Sequence, residues 1–192
     1  MIWVCSRGRE EKTTTWCKYM SNKINIIKKR FTNVKCLTIM ERIPKVFISY
    51  SWTTPQHEEW VINLATRLCN HGVDVVIDKW SLKEGQDKYV FMEQMVIDEG
   101  IDRVIIICDK GYTDKANARK GGVGDETAII SSEVYNKAHQ EKFIPIIAEK
   151  DADGKPYLPV FFKSRIYIDL SDDTCYEREY EKLLRNIYNR PV

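Results

Sequence analysis

Two glutamates seven residues apart, Glu126 and Glu133, follow a run of glycines, Gly121-Gly122-Val123-Gly124. At about 100° per residue, a seven-residue step on an α-helix returns a side chain to within about 20° of its starting direction. Both carboxylates can therefore reach one pocket. Three readings compete. Glycine amides can cradle a phosphate. A carboxylate on a pocket wall can steady a cation formed during reaction. Or the stretch is a loop and a structural helix, whose first-turn acids complement the macrodipole. The first is poorly matched, because a Walker loop needs GxxxxGK followed by Ser or Thr and residues 121–127 lack both the spacing and the lysine. A dinucleotide fingerprint needs GxGxxG directly after a strand, and these glycines lie more than ten residues past Cys108.

Further candidates fall in two short stretches. Ser49, Tyr50 and Ser51 carry hydroxyls that suit a nucleotide, and Trp52 follows them. Asp78, Trp80, Lys83 and Gly85 form the second group, with an indole that can stack on a base and a lysine that can pair with a pyrophosphate. Lys115 is a further cation. His57, His71 and His139 form no cluster, and Cys5, Cys17, Cys36, Cys69, Cys108 and Cys175 show no CxxC spacing. No metal is expected. The cysteines read as reduced thiols of a cytoplasmic protein.

These residues need elements to hold them. Residues 46–50 (VFISY) form a short apolar, β-branched run, hence a buried strand. Pro55 then opens a helix striped by Trp60, Val61, Leu64, Ala65 and Leu68, which His71-Gly72 ends. Residues 73–78 (VDVVID) are a second strand and 79–86 a polar loop. Tyr89, Met92, Met95 and Val96 mark a helix stopped near Gly100. Residues 103–108 (RVIIIC) are a continuously apolar, central strand. Residues 109–125 read as a long loop, followed by a helix and the strand 143–147. Residues 164–170 (SRIYIDL) offer a fifth strand, and Tyr176, Tyr180, Leu183, Leu184, Ile187 and Tyr188 stripe a closing amphipathic helix. This alternation predicts an α/β fold, a flavodoxin-like doubly wound parallel five-stranded sheet. Ligands of such sheets bind beyond the carboxyl ends of the strands, where strand order switches. A response-regulator receiver shares the pattern but wants acids after the first strand, where this chain has Ser49-Tyr50-Ser51-Trp52.

The net charge of +2 excludes a general nucleic-acid binder, yet it is unevenly spread. Residues 1–39 hold nine Lys/Arg against two acids, a balance of +7, so the remaining residues carry −5. This basic leader has no sustained period. It is expected to be disordered, or to lie upstream of a true start at Met40, with one domain over 40–192. No stretch is apolar enough to span a bilayer or to serve as a secretory signal.

Three stretches in order resemble a TIR domain of the bacterial TIR/SEFIR type. VFISYSW at 46–52 is similar to the family's first box. DKWSLKEG at 78–85 is similar to its second, where the glycine closes the so-called BB loop. Tyr112, Lys115-Ala116, the glycines 121–124 and Glu126 are similar to SEFIR-type members. The resemblance covers about residues 45–190. It implies one of two functions. Many TIR domains are non-catalytic homotypic interaction modules of signal transduction. Many bacterial ones cleave the nicotinamide–ribose bond of NAD+, giving nicotinamide and ADP-ribose or a cyclic form, often in antiphage defence. In those enzymes the catalytic glutamate lies early in the third helix, about a dozen residues before the proline of the fourth strand. Glu133 fits, with Pro145 twelve residues on. Ser131-Ser132 stand where family enzymes often carry Ser, Cys or Trp. Glu126 is the rival. The resemblance further implies no cofactor beyond NAD+ as substrate, and self-association through the BB loop into a homo-oligomer. Other TIR/SEFIR proteins are possible partners. A nucleoside deoxyribosyltransferase of similar fold is a third reading, and it would act on nucleosides without NAD+.

One carboxylate suffices for the NAD+ reaction. Nicotinamide leaves neutral, so no acid must protonate it. Glycosidases expel an oxygen and so carry two carboxylates. On the helical wheel Glu133 lies about 40° from Ile129 and about 60° from Ile130, among apolar neighbours, as suits a pocket wall.

Overall fold

The computed structural model describes residues 42–118, 130, 135 and 139–190. The basic leader, the glycines 121–124, Glu126 and Glu133 lie outside the described residues. In chain order the elements are β1 (Lys45–Ser49), α1 (Pro55–Asn70), β2 (Asp74–Ile77), α2 (Asp78–Ser81), α3 (Lys88–Ile97), β3 (Arg103–Cys108), α4 (Lys110–Ala118), β4 (Phe143–Ile147), β5 (Ile168–Asp169) and α5 (Tyr176–Ile187).

Among the described residues, five strands form one sheet in the order β2-β1-β3-β4-β5, and every neighbouring pair is parallel. Past their charged first residues, Lys45, Asp74 and Arg103, β1, β2 and β3 run almost wholly apolar because both faces of the sheet are covered. Val46 and Ile48 of β1, with Ile105 and Ile107 of β3, pack under α1 and α5 against Leu64, Leu68, Tyr180 and Leu183. The alternate residues Phe47, Val104 and Ile106 face the other way, toward Met92 and Val96 of α3 and Tyr112 of α4. Each fully buried Ile contributes about 1.5–3 kcal/mol of burial. Order reverses between β1 and β3, so their carboxyl ends form the switch point.

Helix α1 begins as its sequence predicts. Thr54 accepts from His57 N at 3.1 Å and Pro55 is the first helical residue. It ends at His71, and Gly72 turns the chain away at φ +84°.

Three expectations are corrected. Residues 109–125 are not a loop throughout, since α4 occupies Lys110–Ala118. Its cap is Asp109, which accepts from Tyr112 N at 2.8 Å. It buries only Tyr112, Thr113 and Ala116, too little apolar surface to betray a period. The polar loop after β2 opens with the helical turn α2, closed by Leu82 N donating to Asp78 O at 2.8 Å. The fifth strand pairs only at Ile168 and Asp169. A 3-10 turn over Val160–Phe162 and a bond from Arg165 N to Phe162 O (2.8 Å) hold the preceding backbone coiled, and Ile166 stands 96% exposed. Of the helix expected after residue 126, Tyr135 is described. It is helical and packs on Phe143 and Phe162.

Asp169 makes β5 sensitive to acid. Partial burial alone would raise its pKa, but Lys150 Nζ at 2.5 Å and the Ser171 hydroxyl at 2.6 Å outweigh that and hold it below the usual carboxylate value. A depressed folded-state pKa adds stability above the unfolded value of 3.8 and loses it as pH falls through the folded one. Asp169→Asn is therefore expected to cost about 1 kcal/mol at neutral pH, the difference closing as pH falls below 3.8 and through the depressed folded-state value. Urea melts at both pH values check this.

Candidate functional site

The carboxyl ends of β1 and β3 bring together residues more than fifty positions apart. Asp109, the first residue after β3, is only 3% exposed. Its Oδ1 accepts from Ser51 Oγ at 2.6 Å and Tyr112 N at 2.8 Å, and its Oδ2 from Thr53 Oγ1 at 3.0 Å. His57 Nε2 stands 4.0 Å from Oδ2 and makes no hydrogen bond. One buried carboxylate thus ties the end of β1, the loop leading to α1 and the start of α4. Beside it, Ser49 Oγ and Tyr112 Oη are 3.2 Å apart, and Ile130 N donates to Tyr112 Oη at 3.2 Å. Cys108 closes β3 beneath this cluster, where burial and the Asp109 charge push its thiol pKa up and keep it protonated.

A second buried carboxylate, Asp78, roots the segment after β2. It accepts from Trp52 Nε1 at 2.9 Å and from Lys79 N at 2.7 Å. Lys79 also pairs with Glu58 of α1. Lys88 Nζ lies 3.7 Å over the Trp52 ring. The buried Tyr50 hydroxyl makes no hydrogen bond, and burial followed by the nearby Asp78 charge raises its pKa, so it stays a phenol. Beyond this root the loop opens to solvent. Trp80 is 41% exposed. Lys83 N donates to the Gln86 side chain at 3.0 Å, and Gln86 N returns to Lys83 O at 3.1 Å. Gly85 takes φ +85° with no atom near its missing Cβ, so glycine is required here by conformation and not by space.

The structure thus divides the sequence candidates. Ser49, Tyr50, Ser51 and Asp78 gather at the carboxyl edge, the two serines and the aspartate engaged with protein groups. Trp80, Lys83 and Gly85 project on the loop. Sequence reasoning missed Thr53, His57, Tyr112 as a site residue and, above all, Asp109. Its available signal was an acid ending the most apolar strand, three residues before a tyrosine, as an N-cap would be. Among the described residues no group of three His, Cys, Asp or Glu is set to hold a metal ion. No helix among them is long and apolar enough to cross a membrane.

Gly111 marks how tightly this edge is packed. A Cβ there would stand 2.1 Å from Thr53 Cγ2. Thr53 cannot swing aside without giving up its bond to Asp109. Gly111→Ala is expected to lower stability by about 1–3 kcal/mol, read as a lower urea midpoint at unchanged slope.

The family model described as the SEFIR domain matches residues 44–178. A crystal structure of a prokaryotic SEFIR domain is similar at 45% identity, covering 75% of this chain and 92% of that one, with a TM-score of 0.66. The TIR domain of the Toll-related receptor TRR-2 from Hydra magnipapillata is similar in fold, at 20% identity, 74% and 96% coverage and a TM-score of 0.53. No curated protein matches.

Proposed function

The chain belongs to the SEFIR domain family, and from that premise we propose that it is a self-associating NAD+ glycohydrolase with Glu133 as its catalytic carboxylate. The observation that carries this reading is the bond from Ile130 N to Tyr112 Oη, beside Ser49 at the strand-switch edge. Ile130, three residues before Glu133 in the sequence, is held at the edge where doubly wound sheets take their ligands.

The chemistry asked of the site is modest. The bond between ribose C1′ and the pyridinium nitrogen breaks, and its electron pair returns to the ring, which leaves as neutral nicotinamide. The sugar becomes oxocarbenium-like, and a fixed carboxylate beside it stabilises that charge. Water then adds at C1′ and loses a proton, giving ADP-ribose. A ribose or adenine group of the same molecule adding in place of water gives a cyclic product. The exposed Trp80 indole is the stacking surface available to the nucleotide.

A second reading has its own support. The acceptors of Asp109 are filled by protein donors, while Trp80 stands out on a firmly rooted loop. That arrangement suits a homotypic interaction module of signal transduction without catalysis. The separating experiment is NAD+ consumption and nicotinamide release by the full chain, dilute and crowded on beads. Turnover that rises on crowding supports the enzyme. Intact NAD+ in the presence of crowded, folded protein leaves the interaction module.

A further inference from the structure

The ammonium over Trp52 is set against the preference of its own helix. Lys88 is the first residue of α3, where the macrodipole favours acids and disfavours cations. Among the described residues it pairs with no carboxylate. Its Nζ lies instead 3.7 Å from the centre of the Trp52 ring. Indole is the side-chain ring that attracts cations most strongly. Two features add to that pull here. Trp52 Nε1 donates to Asp78 Oδ2 at 2.9 Å, which fixes the ring plane and sets a negative charge beside its edge. Asp78 is 4% exposed, and its two bonds come from the neutral N–H groups of Trp52 Nε1 and the Lys79 backbone, so neither donor cancels its charge. Trp52 itself stays 40% exposed just past the carboxyl end of β1, the edge where doubly wound sheets take their ligands.

We propose that the Trp52 face is a binding site for a flat organic cation of the N-alkylpyridinium class, and that the Lys88 ammonium is its resident stand-in. The inference rests on NAD+ as substrate and names how the charged ring of that substrate is received. The nicotinamide ring of NAD+ is an N-alkylpyridinium. It carries the same single charge as the ammonium, and its flat face covers an indole that a lysine meets with one atom. Lys88 is half-buried on a flexible four-carbon stem, so it can swing into water and yield the ring. The exchange trades one cation for another, and the ring gains stacked area. NADH carries a neutral dihydropyridine in the same place and is disfavoured on this face. Free nicotinamide is disfavoured for the same reason. The pyridinium loses its charge as the bond to ribose C1′ breaks. The contact therefore serves substrate binding and product release, and adds nothing to the chemical step.

The probe is nicotinamide methylated on its ring nitrogen, a bare pyridinium cation, titrated from about 0.1 to about 20 mM into the isotope-labelled full chain. The indole N–H resonance of Trp52, identified by its loss in Trp52→Leu, reports binding without any turnover. It is expected to shift with a Kd of about 1–10 mM, and neutral nicotinamide is expected to bind at least about threefold more weakly. Lys88→Ala clears the ring and leaves the bond to Asp78 intact. It is expected to tighten the cation about threefold or more. Equal binding of the cation and the neutral amide overturns the cation site. So does a Lys88→Ala chain that binds the cation no more tightly than the wild type, and so does a Trp52 resonance that stays in place in both chains. A chain that binds the pyridinium with this preference yet leaves NAD+ intact overturns the glycohydrolase and keeps the site. Turnover of NAD+ without the preference does the reverse.

Discussion

Glu133→Gln is expected to abolish NAD+ turnover, by at least about 100–1,000-fold, while leaving the chain folded. The substitution keeps the size of the side chain and removes its charge, which is what the oxocarbenium-like ribose requires. Glutamine can still contact ribose hydroxyls, so NAD+ binding should change far less than turnover. Glu126→Gln is the control, because Glu126 stands seven residues earlier in the sequence, a spacing that on a helix returns to the same face. On the proposed reading it costs no more than about tenfold. The check is nicotinamide release by both variants and the wild type, crowded alike on beads. If Glu126→Gln alone is dead, the reaction stands and the catalytic carboxylate lies seven residues earlier in the sequence. If both variants turn over NAD+ like the wild type, neither glutamate performs the chemistry.

The second large effect concerns stability. Asp109→Ala removes one buried carboxylate and strands three donors at once: the Ser51 and Thr53 hydroxyls and the Tyr112 amide. Each buried donor left without an acceptor costs about 1–3 kcal/mol, so a total of about 3–5 kcal/mol is expected after local relaxation. For a domain of this size that lowers the melting temperature by about 10 °C or more. Asp109→Asn should fall between, because its amide oxygen still accepts from one side while its nitrogen cannot accept from the other. Calorimetry of the three proteins gives the order. An alanine variant that melts within about 2 °C of the wild type would mean that the cluster is not what binds β1 to α4.

Much of the fold was open to reading from local pattern. RVIIIC needs no neighbours to be recognised as a strand buried on both faces, and Thr54-Pro55 with His71-Gly72 bracket α1 by capping chemistry alone. Helix α4 was not legible in that way. KGYTDKANA holds one large apolar anchor, and its cap lies in a residue that also ends a strand. The fifth strand was overread because β-branched spacing in SRIYIDL does not reveal that the preceding turn has already committed the backbone. The edge cluster was half legible. Ser49, Ser51 and Asp78 stand out as polar residues ending apolar strands. That Ser51 and Thr53 would meet Asp109 depends on strand order, which places β3 beside β1 although β2 lies between them in sequence. Membership of the TIR/SEFIR family was legible because three short motifs keep their order and spacing. The arrangement around Glu133 belongs to residues outside those described, so its assignment stays with the spacing to Pro145 and the proposed chemistry.

The short pairing of β5 has a consequence for solubility. IYI within SRIYIDL is the kind of branched and aromatic run that, fully extended at a sheet margin, invites another chain to add a strand and begin a fibril. Here only Ile168 and Asp169 join the ladder, and Asp169 carries a charge fixed by Lys150. The residues before them leave the sheet plane. A neighbouring molecule meets two backbone positions and a partly exposed ion pair, a poor template for growth. The fold therefore guards against aggregation by stopping a strand early, and lengthening that strand by a few ladder positions would be a direct way to make this protein precipitate.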